Sequence, residues 1–270
     1  LSAGRASSPP TPALTPSPSP TASPSVAPAG LHAGCPPTAA TNPASPGQTA
    51  LHVATTNWSG YVARSSKAFS CIEGSWTLPR LTCPTAGSAS LSIWVGFDGE
   101  EGPSRATLEQ IGTNSDCSGG QARTFAWFEI LPRDRFERVL DLDLSVGDRI
   151  QASIEFVGRS YHLVIEDLTS GAVADTLERS PNSRRLTAEW IVEAPTVGCP
   201  NACHVASLLR FSPISFSQAH SVLAGRTGPI ADGRWTRVRL DLESKSGLVK
   251  ARAGTLSKDG TTFSVVWHHR

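Results

Sequence analysis

The sequence predicts an all-β fold, a β-sandwich or jelly roll built from two antiparallel sheets. Beyond about residue 50 the chain consists of short runs in which apolar and polar residues alternate. Turn residues separate these runs at regular intervals, and no helical period of 3.6 residues lasts for more than about two turns. Each run keeps one polar face, as strands do when they pack in layers.

The first 50 residues are predicted to be a disordered tail, either a linker or a pro-segment. They are rich in Pro, Ser, Thr and Ala, contain no Phe, Tyr or Trp, and carry a single charged residue, Arg5. Such a segment cannot bury enough apolar surface to offset the entropy of ordering, so we expect it to be dispensable for folding. Only Cys35 offers a point of attachment, through a disulfide. Residues 51–270 then form one β-sandwich domain.

The domain begins with two short alternating runs. Residues 56–63 (TNWSGYVA) contain the glycosylation sequon NWS at 57–59, whose use the sequence leaves open. The next predicted strand occupies residues 70–79, and Cys71 and Cys83 flank it. Their positions are compatible with a local disulfide.

The stretch at residues 91–113 organises the domain. Its first half alternates as a strand does, with three large apolar side chains on one face. The other face carries Trp94, Gly96 and Asp98, which make a poor core but a suitable lining for a groove. Gln110 follows, between apolar neighbours. The stretch therefore predicts one wall of a binding groove.

Later predicted strands also carry acidic side chains on one face. Trp127 and Glu129 share one face of the run ARTFAWFEILP, and Glu189 and Glu193 share one face of LTAEWIVEAP. Each of these acids, taken alone, is more often a surface charge than a catalyst. Several carboxylates in one aromatic groove raise each other's pKa values, which makes them candidates for acid–base chemistry. Further alternating runs lie near residues 139–158, 161–178, 205–211, 235–242 and 263–267.

Composition and cysteine usage exclude several classes of protein. The net charge of +1 gives no reason to expect nucleic acid or an anionic membrane as a partner, and no apolar run of about 18 residues occurs. Six cysteines without zinc-type spacing, with a leader rich in Pro, Ser and Thr, favour a secreted protein. The CPNAC segment is interpreted as a small loop closed by a disulfide between Cys199 and Cys203.

Well-known catalytic motifs are absent from the sequence. It contains no GxSxG elbow, no HExxH and no Asp-Thr/Ser-Gly triplet, which argues against a serine hydrolase of the α/β type, a zinc protease and a pepsin-like dyad. The seven histidines do not pair at metal-ligand spacing. We therefore predict neither a metal site nor a cofactor.

Five motifs in order resemble one known family. NWSGYV, SIWVGFDG, LEQIGT, AWFEILP and AEWIVE, within about residues 56–218, are similar to the motifs of the glutamic peptidases, or eqolisins. That resemblance implies a secreted acid endopeptidase with a concanavalin-like β-sandwich of two seven-stranded antiparallel sheets. It also implies a dyad of one glutamine and one glutamate that acts on polypeptides without a metal.

The resemblance assigns roles to individual residues. The dyad falls on Gln110 and Glu193, the second acid of its motif, with Glu193 as the general base and acid on water and Gln110 as the oxyanion stabiliser. The supporting and substrate-binding positions are Trp94, Asp98, Glu129, Glu189 and Trp127.

Two departures from the family pattern affect what can be carried over. Phe125 stands where other members have an aspartate; it removes one like-charge repulsion but dries the groove, and these effects on the pKa of the glutamate oppose each other. A cysteine that follows the SIWVGFDG-like motif is also absent. The pairing of the four cysteines outside the CPNAC loop is therefore left open.

Three functions remain. The first is a monomeric acid endopeptidase with an optimum below about pH 5. The second is a jelly-roll glycoside hydrolase, for which Asp141 and Asp143 would be the alternative acids and Trp94 or Trp127 would stack a sugar. The third is a lectin-like carbohydrate-binding module.

Overall fold

The computed structural model describes residues 32–36, 50–100, 107–199 and 201–270, and within them the secondary structure consists of β-strands without a helix. The strands are β1 Leu51–Thr55, β2 Trp58–Arg64, β3 Phe69–Thr77, β4 Leu81–Thr82, β5 Ser88–Asp98, β6 Leu108–Ser118, β7 Gln121–Leu131, β8 Arg138–Leu140, β9 Arg149–Val157, β10 Ser160–Asp167, β11 Ala172–Glu178, β12 Thr187–Glu193, β13 Thr196–Val197, β14 His204–Val205, β15 Arg210–Phe211, β16 Ile214–Leu223, β17 Arg226–Pro229, β18 Thr236–Glu243, β19 Val249–Ala253 and β20 Phe263–Trp267. In the part of the chain so described, no helix is long and apolar enough to cross a membrane.

Most strands join one hydrogen-bonded ladder. Its order is β11-β10-β9-β3-β16-β20-β19-β18-β2-β12-β5-β6-β7-β8, with β17 paired to β16 and β1 paired to β18. These pairs are antiparallel, apart from β1 and β18, which run parallel. Two small antiparallel sheets, β13-β14 and β15-β4, lie outside the ladder.

The ladder folds over itself into two layers. Trp76 on β3 donates its indole N–H to Thr113 Oγ1 on β6 at 3.2 Å. Trp190 on β12 donates to the backbone oxygen of Glu73 on β3 at 2.8 Å. The layer of β3, β9 and β10 therefore faces the layer of β12, β5 and β6 across a core of buried apolar side chains. The predicted antiparallel β-sandwich is confirmed, with β19 and β20 joining its two layers along one side.

All six cysteines are paired, and one sequence interpretation was wrong. Cys71 bonds to Cys35 and Cys83 to Cys117, with no local bond between Cys71 and Cys83. The extended strand β3 explains this, because six residues of strand place Cys71 about 20 Å from the far end of β3. The predicted bond between Cys199 and Cys203 is confirmed.

Part of the predicted tail contacts the domain. The backbone N–H of Ala33 donates to Glu166 Oε2 at 3.0 Å, and that of Cys35 donates to Glu73 Oε2 at 2.7 Å. These acids lie on β10 and β3, so residues 32–36 are bound to the layer opposite the groove described below. Residues 1–31 and 37–49 of the tail lie outside the described residues.

Candidate active site

The predicted groove residues share the outer face of β2, β12, β5, β6 and β7. Strand pairing aligns them in rows across β12, β5 and β6. The rows are Glu193–Ser92–Asn114, Ile191–Trp94–Gly112 and Glu189–Gly96–Gln110. The alternation predicted from the sequence therefore places both members of the proposed dyad on one face, two rows and two strands apart.

An apolar cluster forms the floor of this face. It is separate from the main core and contains Val62, Trp94, Leu108, Phe125, Trp127, Ile191, Val238 and Leu240. Phe125 and Trp127 extend the face onto β7, where they pair with Asn114 and Gly112. The acids of this face therefore lie beside an apolar floor that includes Phe125.

The indole of Trp94 lies between the two dyad positions. Its Nε1 donates to Glu193 Oε2 at 2.7 Å. Its opposite edge covers Gly96, where a Cβ would lie 2.9 Å from Trp94 Cζ3 and 3.3 Å from Gln110 Cβ. One end of this buried ring thus contacts the carboxylate, and the other end lies over Gly96, the residue paired with Gln110.

Glu193 receives hydrogen bonds on both oxygens. Besides Trp94, Asn57 Nδ2 donates to Oε1 at 3.1 Å. Burial nevertheless raises the pKa of Glu193 to about 7, because desolvation outweighs the donors Trp94, Trp58 and Asn57, which lower it. The indole N–H of Trp58 is buried and makes no hydrogen bond of normal geometry with the described residues, although it lies near enough to act on this carboxyl.

Gln110 is held by Glu129. Its Nε2 donates to Glu129 Oε2 at 2.8 Å, and strand pairing places the two residues directly opposite each other. Burial raises the pKa of Glu129 to about 7, and the charges of Glu137 and Glu193 add to the rise. Gln110 Oε1 is buried without a hydrogen-bond partner among the described residues. The amide therefore keeps one N–H and its carbonyl oxygen for a ligand.

Glu189 is buried deeper than Glu193. Its side chain is fully buried, and Thr187 Oγ1 donates to its Oε1 at 3.0 Å. Desolvation raises its pKa well above the usual value. Glu189 is therefore buried on the same face on which Glu193 is partly open to the groove.

Asp98 supports a loop. It has φ of 63°, and its carboxylate accepts the backbone N–H groups of Arg184, Arg185 and Leu186 at 2.9, 2.7 and 2.8 Å. These bonds clamp the segment that leads into β12. The resemblance assigned Asp98 a supporting position; its bonds place it at the far end of β5, where its charge raises the pKa of Glu189.

Sequence reasoning missed three contributors to this site. Asn57 and Trp58 belong to the NWSGYV motif, but only the sequon was interpreted there. Glu137, on the loop before β8, raises the pKa values of both Glu129 and Glu193. Only the pairing of β2 with β12 and of β7 with β8 brings these residues to the groove, and no local pattern signals it.

Comparison with known proteins decides the family. The sequence model of the peptidase A4 family matches residues 56–264. The chain belongs to the peptidase A4 family. These are the glutamic peptidases, or eqolisins, so the resemblance predicted from the five motifs is confirmed. Membership makes the chain a peptidase whose substrates are polypeptides.

Solved structures of family members share the fold. Scytalido-glutamic peptidase with a peptide-based transition state analogue is 21% identical, with a TM-score of 0.66, and the match covers 79% of this chain and 98% of that one. SCP-B, an eqolisin in complex with the tripeptide Ala-Ile-His, is 20% identical, with a TM-score of 0.63 and the same coverage. Aspergilloglutamic peptidase from Aspergillus niger is 24% identical, with a TM-score of 0.56, over 67% of this chain and 99% of that one. No curated protein matches the chain at a significant level.

Proposed function

We propose that the chain is a secreted, monomeric acid endopeptidase that cleaves polypeptides with Gln110 and Glu193 and without a metal. One observation carries the proposal: Glu193, which has a donor on each oxygen, and Gln110, whose amide oxygen has no partner among the described residues, lie on one sheet face with buried Trp94 in the row between them. The three disulfides support an oxidising, extracellular location.

In the proposed reaction a water lies between the two side chains. Gln110 Oε1 accepts one of its hydrogen bonds, and the free N–H of the same amide donates to the carbonyl oxygen of the peptide. Such a donor contributes on the order of 3 kcal/mol to stabilising the transition state. Glu129 fixes the amide plane, because it occupies the other N–H.

The raised pKa of Glu193 changes the expected proton transfers at acid pH, because the carboxyl group is then neutral and not an ionised base. Below about pH 5 a carboxyl group with a pKa of about 7 is mostly neutral. A neutral carboxyl can accept a proton from the attacking water on its carbonyl oxygen while its hydroxyl donates to the peptide oxygen, which gives a gem-diol. In the second step the hydroxyl of Glu193 protonates the leaving nitrogen, a gem-diol hydroxyl returns a proton, and the C–N bond breaks.

The two aspartates predicted for the glycosidase alternative do not lie in the groove. Asp141 and Asp143 are exposed and follow the end of β8, beyond the edge of the groove face. A pure binding module is also not favoured, since the family is one of peptidases.

Cleavage of acid-denatured casein tests the proposal, with pepstatin and a metal chelator present. We expect the wild-type chain to cleave, and Glu193→Gln and Gln110→Ala each to keep less than about a hundredth of the activity, as expected when an essential proton carrier or oxyanion donor is lost. Glu155→Gln, on the rear strand β9, is the matched control and should be fully active. Glu193→Gln with more than about a tenth of wild-type activity would refute the assignment. A wild-type chain that instead cleaves only polysaccharides in a parallel panel would support the glycosidase.

A further inference from the structure

Asn57 contacts the carboxyl group of Glu193 from the turn between β1 and β2. Its Nδ2 donates to Glu193 Oε1 at 3.1 Å. Its backbone oxygen accepts the N–H of Ala194 at 2.9 Å. The residue is therefore tied to Glu193 by its side chain and to the next residue by its backbone.

The turn that carries Asn57 is itself fixed. Thr55 Oγ1 accepts the backbone N–H of Trp58 at 2.8 Å and donates to the backbone oxygen of Trp58 at 2.6 Å. Trp58 in turn packs edge-on against Trp94, with ring centroids 5.0 Å apart. The amide of Asn57 is therefore presented to Glu193 by a rigid turn.

We propose that Asn57 is a positioning residue for Glu193. Its amide fixes Oε1 while the indole of Trp94 fixes Oε2, so the two donors together set the plane of the carboxyl group. The inference rests on the proposed role of Glu193 in catalysis.

Two consequences follow from this geometry. Loss of one donor frees rotation about the last bond of the side chain, which has a broad torsional preference. It also removes a group that favours the ionised carboxylate, so Glu193 should titrate at higher pH.

The same amide lies in the NWS sequon. A glycan on Asn57 would replace one hydrogen of Nδ2 and place a sugar beside Glu193. We therefore expect Asn57 to carry no glycan in the active chain.

The test compares Asn57→Ala and Asn57→Asp with Thr56→Ala, an exposed neighbour in the same turn. We expect both Asn57 variants to lower kcat by about tenfold or more with little change in KM, as for loss of a hydrogen bond to an ionisable group. The limb of the pH–rate profile that reports Glu193 should move to higher pH in both. Thr56→Ala should match the wild type.

Asn57→Asp keeps the size of the side chain, so it decides the matter if the alanine variant fails to fold. Wild-type kcat and an unmoved limb in a folded Asn57 variant would overturn the inference. Glu193→Gln separates the two ideas. If Glu193→Gln is active, the proposed function itself is refuted. If Glu193→Gln is inactive while the Asn57 variants keep wild-type activity, only the role of Asn57 is refuted.

Discussion

At the scale of single residues, Glu189 and Glu193 differ in burial although they lie on one face of one strand. Glu189 is fully buried, so neither water nor a peptide reaches its carboxyl group. Glu193 is partly open to the groove and has a donor on each oxygen. Of the two, only the carboxyl group of Glu193 is accessible from the groove, which is why the proposed role falls on it.

The proposed role of Glu193 predicts how activity depends on pH. If the neutral carboxyl carries both proton transfers, activity should be present below about pH 5 and fall as pH rises through the pKa of about 7. Initial rates on a short peptide between pH 2 and pH 8 measure this. Activity that instead rises through pH 7 would show that the ionised form acts, as a general base on water.

At the scale of elements, the pairing of β5 with β6 positions Trp94 through a glycine. A Cβ on Gly112 would lie 2.2 Å from the backbone oxygen of Ile93 and 2.6 Å from Trp94 Cβ. We expect Gly112→Ala to destabilise the fold by about 1–3 kcal/mol, since such contacts force the strand to move. Because the strand that moves carries Trp94, activity should fall as well.

Thermal unfolding and casein cleavage together check Gly112→Ala. Gly120→Ala is the control, because its Cβ would meet no atom within 4 Å and only its φ of 79° opposes a side chain. The control should lose some stability and keep its activity. Equal activities in the two folded variants would contradict the role of the close approach.

The sequence predicted strands and faces well but not the contacts between distant strands. Alternation in 91–113 correctly separated the groove face from the core face, because side chains on a strand alternate by geometry alone. The partners of Asp98 lie in a loop far along the chain, and Asn57 reaches Glu193 only through the register of β2 with β12. Such contacts depend on tertiary pairing, which no local pattern encodes.

At the scale of the whole molecule, the disulfide between Cys35 and Cys71 should contribute to stability. It closes a loop with a sequence separation of 36, for which about 3–4 kcal/mol is expected. Replacing both cysteines by serine should therefore lower the unfolding temperature, although the sequence alone predicted residues 1–50 to be dispensable. The Cys199–Cys203 pair, with a separation of 4, is the control and should have a smaller effect. An unchanged unfolding temperature in the first variant would show that this disulfide adds nothing to the stability of the fold.

The stability of the whole chain should also depend on pH. Glu109, Glu129 and Glu193 have pKa values raised to about 7 by burial, and burial also raises the pKa of Glu189. The folded state therefore binds more protons than the unfolded chain, and the stability from these groups is present below about pH 4.5 and lost as pH rises through about 7. Asp134 and Asp167 have lowered pKa values, so their contribution is lost as pH falls below 3.8. The maximum of stability should lie near pH 4.

A substitution at Glu109 tests this pH dependence of stability separately from catalysis. Glu109 lies opposite Phe97 on the core-facing side of β6, away from the groove. Ser183 Oγ donates to Glu109 Oε2 at 2.7 Å, and Glu109 Oε1 has no partner among the described residues. Glu109→Gln keeps the shape of the neutral acid but cannot ionise, so it should match the wild type at pH 4 and be more stable by up to about 3 kcal/mol at pH 8. Urea unfolding at both pH values measures the difference, with Glu155→Gln, at a half-buried position on β9, as the control. Parallel stability curves for wild type and Glu109→Gln would show that Glu109 is already ionised within the fold. If the stability of Glu109→Gln depends less on pH than that of the wild type while its pH–rate profile is unchanged, then the loss of stability near neutral pH and the loss of activity have separate causes.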